Sequence, residues 1–252
     1  MFYLIGLGLK PEHLSLEALK VLKKCKKVFL DDFTSVYSEG AIKDLEKLTG
    51  KKVTPLNRSQ IEQGFTEYLL QAKTQNIALC IIGNALTATT HIQLLLDAKQ
   101  KKIQFQVLPG ISITNFISGT GLQEYKVGQT ITIPFWAENF KPESFYDKFL
   151  ENKLLNLHTL CLLDIKKEEN KLMNVQDALG IFQEIEKKRS LSNITDSVLV
   201  IISSAGSKKQ RISAGKLPEL IKQRFSTPAS IIICGKLNEK ETEALQALAG
   251  LK

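Results

Sequence analysis

The segment Gly83-Asn84-Ala85-Leu86-Thr87-Ala88-Thr89-Thr90-His91 has the composition of a loop that can hold a polar ligand. It follows the apolar run Ile77 to Ile82 and leads into a helical pattern bearing Ile92, Leu95 and Leu96. A strand that ends in such a loop places backbone amides and small side chains where a ligand can lie. Thr89 or Thr90 is expected to cap the following helix through its side-chain oxygen. An ordinary strand-to-helix turn draws on the same residue types, so the rest of the chain decides what this loop means.

Other residues could also carry chemistry. Gly6-Leu7-Gly8-Leu9 follows a short strand, and Asp31-Asp32 ends the next one about where a ribose-binding acid would stand. The third glycine of a dinucleotide fingerprint is missing, because Pro11 occupies its place. The glycines are therefore expected to allow close backbone approach to something in a cleft. His91 could act as a base, yet it opens a helix and has no carboxylate partner visible in the sequence, so a structural role is favoured. His158 precedes an apolar strand and His13 a helix start, and neither reads as a ligand. The four cysteines, Cys25, Cys80, Cys161 and Cys234, are far apart. They read as buried reduced thiols, and no zinc spacing is present.

With 252 residues, 43% hydrophobic and 24% charged, the chain can bury a large core in one big or two ordinary domains. No apolar run approaches the roughly 20 residues needed to span a bilayer. The N-terminus lacks a basic region followed by an apolar core. The expectation is a cytoplasmic chain without a membrane segment. A net charge of +8 and a pI near 9.2 would suit an acidic partner. However, Lys23, Lys24, Lys26 and Lys27, Lys101 and Lys102, and Lys187, Lys188 and Arg189 end helical patterns, where cations complement the helix dipole. No aromatics are interleaved with them, which argues against a nucleic-acid surface.

Strand and helix patterns alternate throughout. Tyr3-Leu4-Ile5, Val28-Phe29-Leu30, Val53 and Ile77 to Ile82 read as strands. Between them lie a helix on Leu16, Leu19 and Leu22, one closed by Gly50, and a long one from about Gln60. Another helix and strand end at Leu108, and Pro109-Gly110 breaks the pattern. Strands resume at Thr130 to Ile133, Thr159 to Leu163, Val198 to Ile202 and Ile231 to Cys234, and Arg211 to Ser213 is expected to pair antiparallel with Val198 to Ile202. A final helix, Glu239 to Leu248, places Ala244, Leu245 and Leu248 on one face. The reading is two α/β domains with a cleft between them, residues 1–110 around a parallel sheet and residues 111–252 around a mixed sheet.

Taken in order along the chain, several blocks resemble the diphthine synthases, members of the tetrapyrrole-methylase-like S-adenosylmethionine-dependent methyltransferases. They are Leu4-Ile5-Gly6-Leu7-Gly8-Leu9, Lys24-Cys25, Phe33-Thr34-Ser35, Ala88-Thr89-Thr90-His91 and Thr120-Gly121-Leu122. After these come His158-Thr159-Leu160, Leu163-Asp164-Ile165-Lys166, Ala205-Gly206-Ser207 and Gly235-Lys236-Leu237. The length is similar to that of the archaeal form. The resemblance implies a homodimer whose subunits bind S-adenosylmethionine. It also implies a protein substrate, elongation factor 2, whose modified histidine receives methyl groups on an amino group. By motif position the cofactor contacts would be Leu9, Asn84, Thr87, Ser112, Ile113, Leu163, Ala205 and Ser230.

This chain departs from the family pattern at Gly83-Asn84-Ala85, where the family has Gly-Asp-Pro, and at Ser230, where it usually has His. Asn84 keeps an acceptor but loses the charge that would attract the cofactor's ammonium. In-line transfer between a sulfonium and an amine asks for positioning more than for acid–base groups, so no catalytic residue is assigned and no metal is expected. Two alternatives stand beside this reading: a tetrapyrrole methyltransferase of the same fold, and a non-catalytic relative that binds the elongation factor or RNA.

Overall fold

Runs that are apolar at every residue, such as Ile77–Ile81, are satisfied only between two helical layers. The computed structural model describes residues 1–252. It divides into two compact units, Met1–Thr114 with Lys167–Asn170, and Asn115–Lys166 with Lys171–Lys252. The first unit runs β1 (Phe2–Gly6), α1 (Leu16–Lys24), β2 (Lys27–Asp31), α2 (Ile42–Thr49), β3 (Val53–Leu56), α3 (Arg58–Glu62), α4 (Phe65–Gln71), β4 (Ile77–Ile81), α5 (Ile92–Gln100) and β5 (Phe105–Leu108). Its strands form a parallel sheet in the order β3-β2-β4-β1-β5.

Successive strand residues face opposite ways. Leu4 and Leu79 therefore join Phe65, Leu69, Leu94 and Leu95 on one face, while Ile5 and Cys80 join Ala18, Leu22 and Leu45 on the other. Each such side chain stabilises the fold by about 1.5–3 kcal/mol when fully buried. Truncating Leu79 to Ala would cost about 2–5 kcal/mol, since it is fully buried in the core of that face. The neighbours β1 and β4 send the chain in opposite directions, to β2 and to β5. In an open α/β sheet, the crevice beyond the C-terminal ends of such a pair is where ligands bind.

Local chemistry sets the helix ends. Ser15 caps α1 by accepting the Ala18 N–H at 3.0 Å, and Gly50 closes α2 at φ 66°, a left-handed position suited to glycine. The single long helix expected from Gln60 is two helices. Asn57 and Gln60 exchange capping hydrogen bonds of 3.0 and 2.9 Å at the start of α3. Gly64, a poor helix former, separates α3 from α4. Neither Thr89 nor Thr90 caps α5: the cap position is His91, and the Thr89 hydroxyl donates instead to Ala85 O at 2.7 Å. Leu94, Leu95 and Ala98 form the buried face of α5, leaving Ile92 52% and Leu96 54% exposed.

The second unit contains β6 (Ile131–Ile133), α6 (Ser144–Leu154), β7 (Thr159–Leu163), a small hairpin of β8 (Ile165–Lys166) and β9 (Lys171–Leu172), α7 (Val175–Arg189), β10 (Val198–Ser203), β11 (Arg211–Lys216), α8 (Leu217–Leu220), β12 (Ala229–Ile233) and α9 (Glu239–Ala249). Its main sheet, β11-β10-β12-β7-β6, is mixed: β6 and β7 are parallel and the other pairs antiparallel. Phe145 and Phe149 each pack edge-on to Phe182, in one core with Ile133, Cys161, Ile201 and Ile231. The basic end of α7 is neutralised, with Lys188 and Arg189 both paired to Glu143. On α9 the buried residues are Glu241, Leu245 and Ala249, and Leu248 is 64% exposed. The helix turns this way because Glu241 is drawn inward by Lys126 and His158.

Candidate functional site

Glycines build the switch point of the first unit. A Cβ on Gly6 would stand 2.5 Å from Gly110 N and 2.7 Å from Gly83 O, and one on Gly110 would stand 2.3 Å from Gly83 O. Gly8 and Gly83 exchange backbone hydrogen bonds of 3.2 and 2.9 Å, and at Gly8, with φ +77°, His13 Cβ lies only 2.2 Å from where a side chain would begin. At Gly6, Gly8 and Gly110 the close approach is to other loops of the protein, whereas a Cβ on Gly83 would meet nothing within 4 Å. The dinucleotide reading loses its acid as well. Asp31 is fully buried, accepting the Phe33 and Thr34 N–H groups at 3.0 Å and the Thr34 hydroxyl at 2.8 Å. Asp32 pairs with Lys167.

On the loops beyond β1, β4 and β5 stand Leu9, Asn84, Thr87, Ser112 and Ile113, grouped by the adjacency of those strands. Leu9 is locked through its backbone: its N–H donates to His13 Nδ1 at 3.3 Å, and its carbonyl accepts the Ser38 N–H and hydroxyl at 2.9 Å each. Asn84 Oδ1 accepts the Leu86 N–H at 3.0 Å, and Asn84 O accepts the Thr87 N–H at 3.3 Å. This tight turn leaves Thr87 exposed. The Ser112 hydroxyl lies 2.7 Å from that of Thr114, and Ile113 begins the next helical turn.

His91 does have a carboxylate partner, contrary to the expectation from sequence. Its Nε2 lies 3.0 Å from Asp31 Oδ2 and its Nδ1 3.2 Å from Ala85 O, with the two side chains 2% and 0% exposed. The parallel pairing of β2 with β4 sets Asp31 beside the loop that follows β4. Burial would raise the Asp31 carboxyl, but hydrogen bonds from His91, Phe33 and Thr34 outweigh it and hold the group below the ordinary carboxylate range.

In the second unit Leu163, Ala205 and Ser230 come together at one end of the sheet. Leu163 is the last residue of β7, Ser230 pairs with Leu162 and with Ile202, and Ala205 follows β10. Because Leu162, Ile202 and Ser230 face one way, Leu163 faces the other, into the core with Ile133 and Ile231. Only its backbone can meet a ligand. Asp164, next in the chain, is held by the Phe135 N–H on Oδ2 at 2.9 Å. Arg211 is engaged by Gln223, by Arg224 O and by the Phe225 ring 5.0 Å away.

The opposite end of that sheet carries a buried polar cluster. His158 Nδ1 accepts the Gly235 N–H at 3.0 Å and its Nε2 donates to Glu241 Oε1 at 2.9 Å, which fixes a neutral tautomer. Burial lowers the pKa of this ring. Burial would raise Glu241, yet hydrogen bonds from Lys126, Asn238, His158 and Gln123 bring it down to about 2. This cluster is structural, and it lies away from the strand ends that carry Leu163 and Ser230. All four cysteines are buried free thiols, and burial pushes Cys25 up to about 11 and Cys234 to about 12. No helix is long and apolar enough to cross a membrane.

Residues 1–221 match the tetrapyrrole (corrin/porphyrin) methylases. Diphthine synthase of Methanococcus vannielii is 37% identical over 251 residues, covering 98% of each chain. Diphthine methyl ester synthase of Kluyveromyces lactis is 36% identical over 264 residues, covering 97% of this chain and 89% of its own. A crystal structure assigned as a diphthine synthase from Entamoeba histolytica is 32% identical, with a TM-score of 0.87 over 99% of this chain and 98% of that one. Likeness on this scale, running through both units, makes the chain a member of the tetrapyrrole methylase family and, within it, of the diphthine synthases, which are methyltransferases.

Proposed function

We propose that this chain transfers methyl groups from S-adenosylmethionine to the amino group of the modified histidine of elongation factor 2, forming diphthine in diphthamide biosynthesis. The observation that carries this reading is near full-length identity of 37% to a protein named diphthine synthase, with 36% to one named diphthine methyl ester synthase. Relatives with those names do not favour a tetrapyrrole substrate. We place cofactor contacts at Leu9, Asn84, Thr87, Ser112 and Ile113, and at Leu163, Ala205 and Ser230, with the enzyme acting as a cytoplasmic homodimer.

The residues present suit such a cofactor. Thr87 offers an exposed hydroxyl at the crevice beyond β1 and β4, and Asn84 Oδ1, which takes the Leu86 N–H, keeps a second lone pair as a neutral acceptor. Ser230 adds a second hydroxyl at the sheet end of the other unit. S-adenosylmethionine supplies, when bound, a methyl group on a positively charged sulfur. The chain's own task is to orient donor and amine in line and exclude water, which can lower a barrier by several kcal/mol without an acid or base. A desolvating site also favours the neutral, nucleophilic amine over its ammonium form.

A second reading is a methyl ester product, favoured by the Kluyveromyces lactis relative, whose name states it. One experiment separates these outcomes. Purified enzyme, S-adenosylmethionine and elongation factor 2 bearing the aminocarboxypropyl-histidine should yield a peptide that gains methyl groups stepwise, up to three on the amine. An additional methyl lost in mild alkali would mark the ester. A peptide left unchanged while tetrapyrroles are methylated would overturn both.

A further inference from the structure

We propose that His91 and Asp31 form a buried, charged clamp that fixes the Asn84–Thr87 loop in its cofactor-binding shape, with His91 carrying a proton on both ring nitrogens. The assignment follows from donors and acceptors. His91 Nε2 faces a carboxylate oxygen at 3.0 Å and Nδ1 faces the Ala85 carbonyl at 3.2 Å. Both partners accept and neither donates, so a neutral imidazole would aim a lone pair at one of them. At 2% and 0% exposure the pair has little solvent to relieve that mismatch.

Asp31 is set independently of His91. Its Oδ1 takes the Phe33 and Thr34 N–H groups and its Oδ2 the Thr34 hydroxyl, which anchors the carboxylate to the exit of β2. The imidazolium then bridges that anchor to Ala85, the residue following Asn84, whose carbonyl also takes the Thr89 hydroxyl at 2.7 Å. The same loop carries Ala88 at φ +56°. An alanine holds that sparsely populated conformation only where its surroundings impose it. Glu62 and Asp97 line, with His91, a pocket of about 240 Å³ between α3, α4 and α5. Arg58 is directed to Glu62, 3.7 Å away, and to the Phe33 ring, 5.1 Å away.

The role of the clamp in cofactor binding rests on the proposed function, whereas the charge on His91 does not. Nitrogen-15 NMR of the histidine side chains should show His91 protonated on both nitrogens at neutral pH, and a single-proton ring would overturn the charge assignment. Asp31→Asn keeps an acceptor for the Phe33 and Thr34 N–H groups but removes the counter-charge, so the ring should drop to its Nδ1–H form. The dissociation constant for S-adenosylmethionine should then rise about fivefold to twentyfold. His91→Gln, which can donate to only one of the two acceptors, should raise it comparably while keeping a cooperative melt. Unchanged affinity in both variants would overturn the clamp. A parent protein that binds no cofactor would instead sink the proposed function and the loop's part in it, leaving the NMR result to stand or fall alone.

Discussion

Replacing Asn84 by Asp should tighten S-adenosylmethionine binding by up to about tenfold. Asn84 Oδ1 already accepts the Leu86 N–H at 3.0 Å and is a neutral acceptor, while Nδ2 is a donor. Against an ammonium group that donor is a mismatch. Aspartate would hold the Leu86 N–H with one oxygen and present a charged acceptor with the other. Two unit charges 4 Å apart gain roughly 1 kcal/mol in bulk water and about 4 kcal/mol at the effective dielectric of a protein surface. Asn84 is half-buried, so desolvation cancels part of this gain. A net 0.5–1.5 kcal/mol or so remains, about two- to tenfold in affinity. Calorimetric titration at low and high salt should show the gain and its shrinkage as salt rises. Asn84→Leu, which strands the Leu86 N–H and offers the cofactor nothing, should bind more weakly. Weaker binding by the Asp variant would mean that Nδ2 serves the cofactor's carboxylate, and no change in either variant would remove Asn84 from the site.

Gly6→Ala should abolish soluble expression or lower the melting temperature by more than 10 °C or so, because its Cβ would meet Gly110 and Gly83 backbone at 2.5–2.8 Å. Gly83→Ala meets nothing within 4 Å and should cost only the roughly 1–2 kcal/mol of a strained φ of +92°; equal melting curves for the two would contradict this packing. Glu241, held near 2 against an ordinary 4.5, contributes stability that is fully present above about pH 4.5 and lost as pH falls toward 2, on the order of 3 kcal/mol. His158, lowered by burial, acts in the same direction below its ordinary 6.5, since the unfolded chain takes up its proton first. Urea unfolding should therefore show Glu241→Gln less stable than the parent by about 2–4 kcal/mol at pH 7, with the gap narrowing below pH 4.5; a pH-independent gap would refute the ionic account. Charge reversal at the exposed Lys208 and Lys209 should raise KM for the elongation factor at low salt and leave cofactor affinity unchanged, whereas unaltered kinetics would remove any steering role.

Strands were legible where a short apolar run stands between polar residues: Thr159 to Leu163 is β7 residue for residue, and the antiparallel partner of Val198 to Ile202 is β11. Helix faces were legible only in part: Ala18, Leu22, Leu95 and Leu245 are buried as expected, whereas Leu16, Ile92, Leu96 and Leu248 are exposed. On α9 a buried Glu241 displaces the apolar face expected around Leu248, because its partners Lys126 and His158 lie far away in the chain. For the same reason Asp31 could not be read as the partner of His91; only the alignment of β2 beside β4 joins them. The loop after β4 was recognisable from its residue types. That Gly6 and Gly110 pack against each other and against Gly83 O depends on the order of strands β4-β1-β5, which no local pattern encodes.

The central claim is a methyl transfer to protein, and intact-peptide mass spectrometry of elongation factor 2 tests it most directly. With purified enzyme, S-adenosylmethionine and factor carrying the aminocarboxypropyl-histidine, the peptide containing that histidine should gain methyl groups one at a time. Factor lacking the modification should gain none. Cofactor binding without any mass gain on the modified peptide would contradict the account.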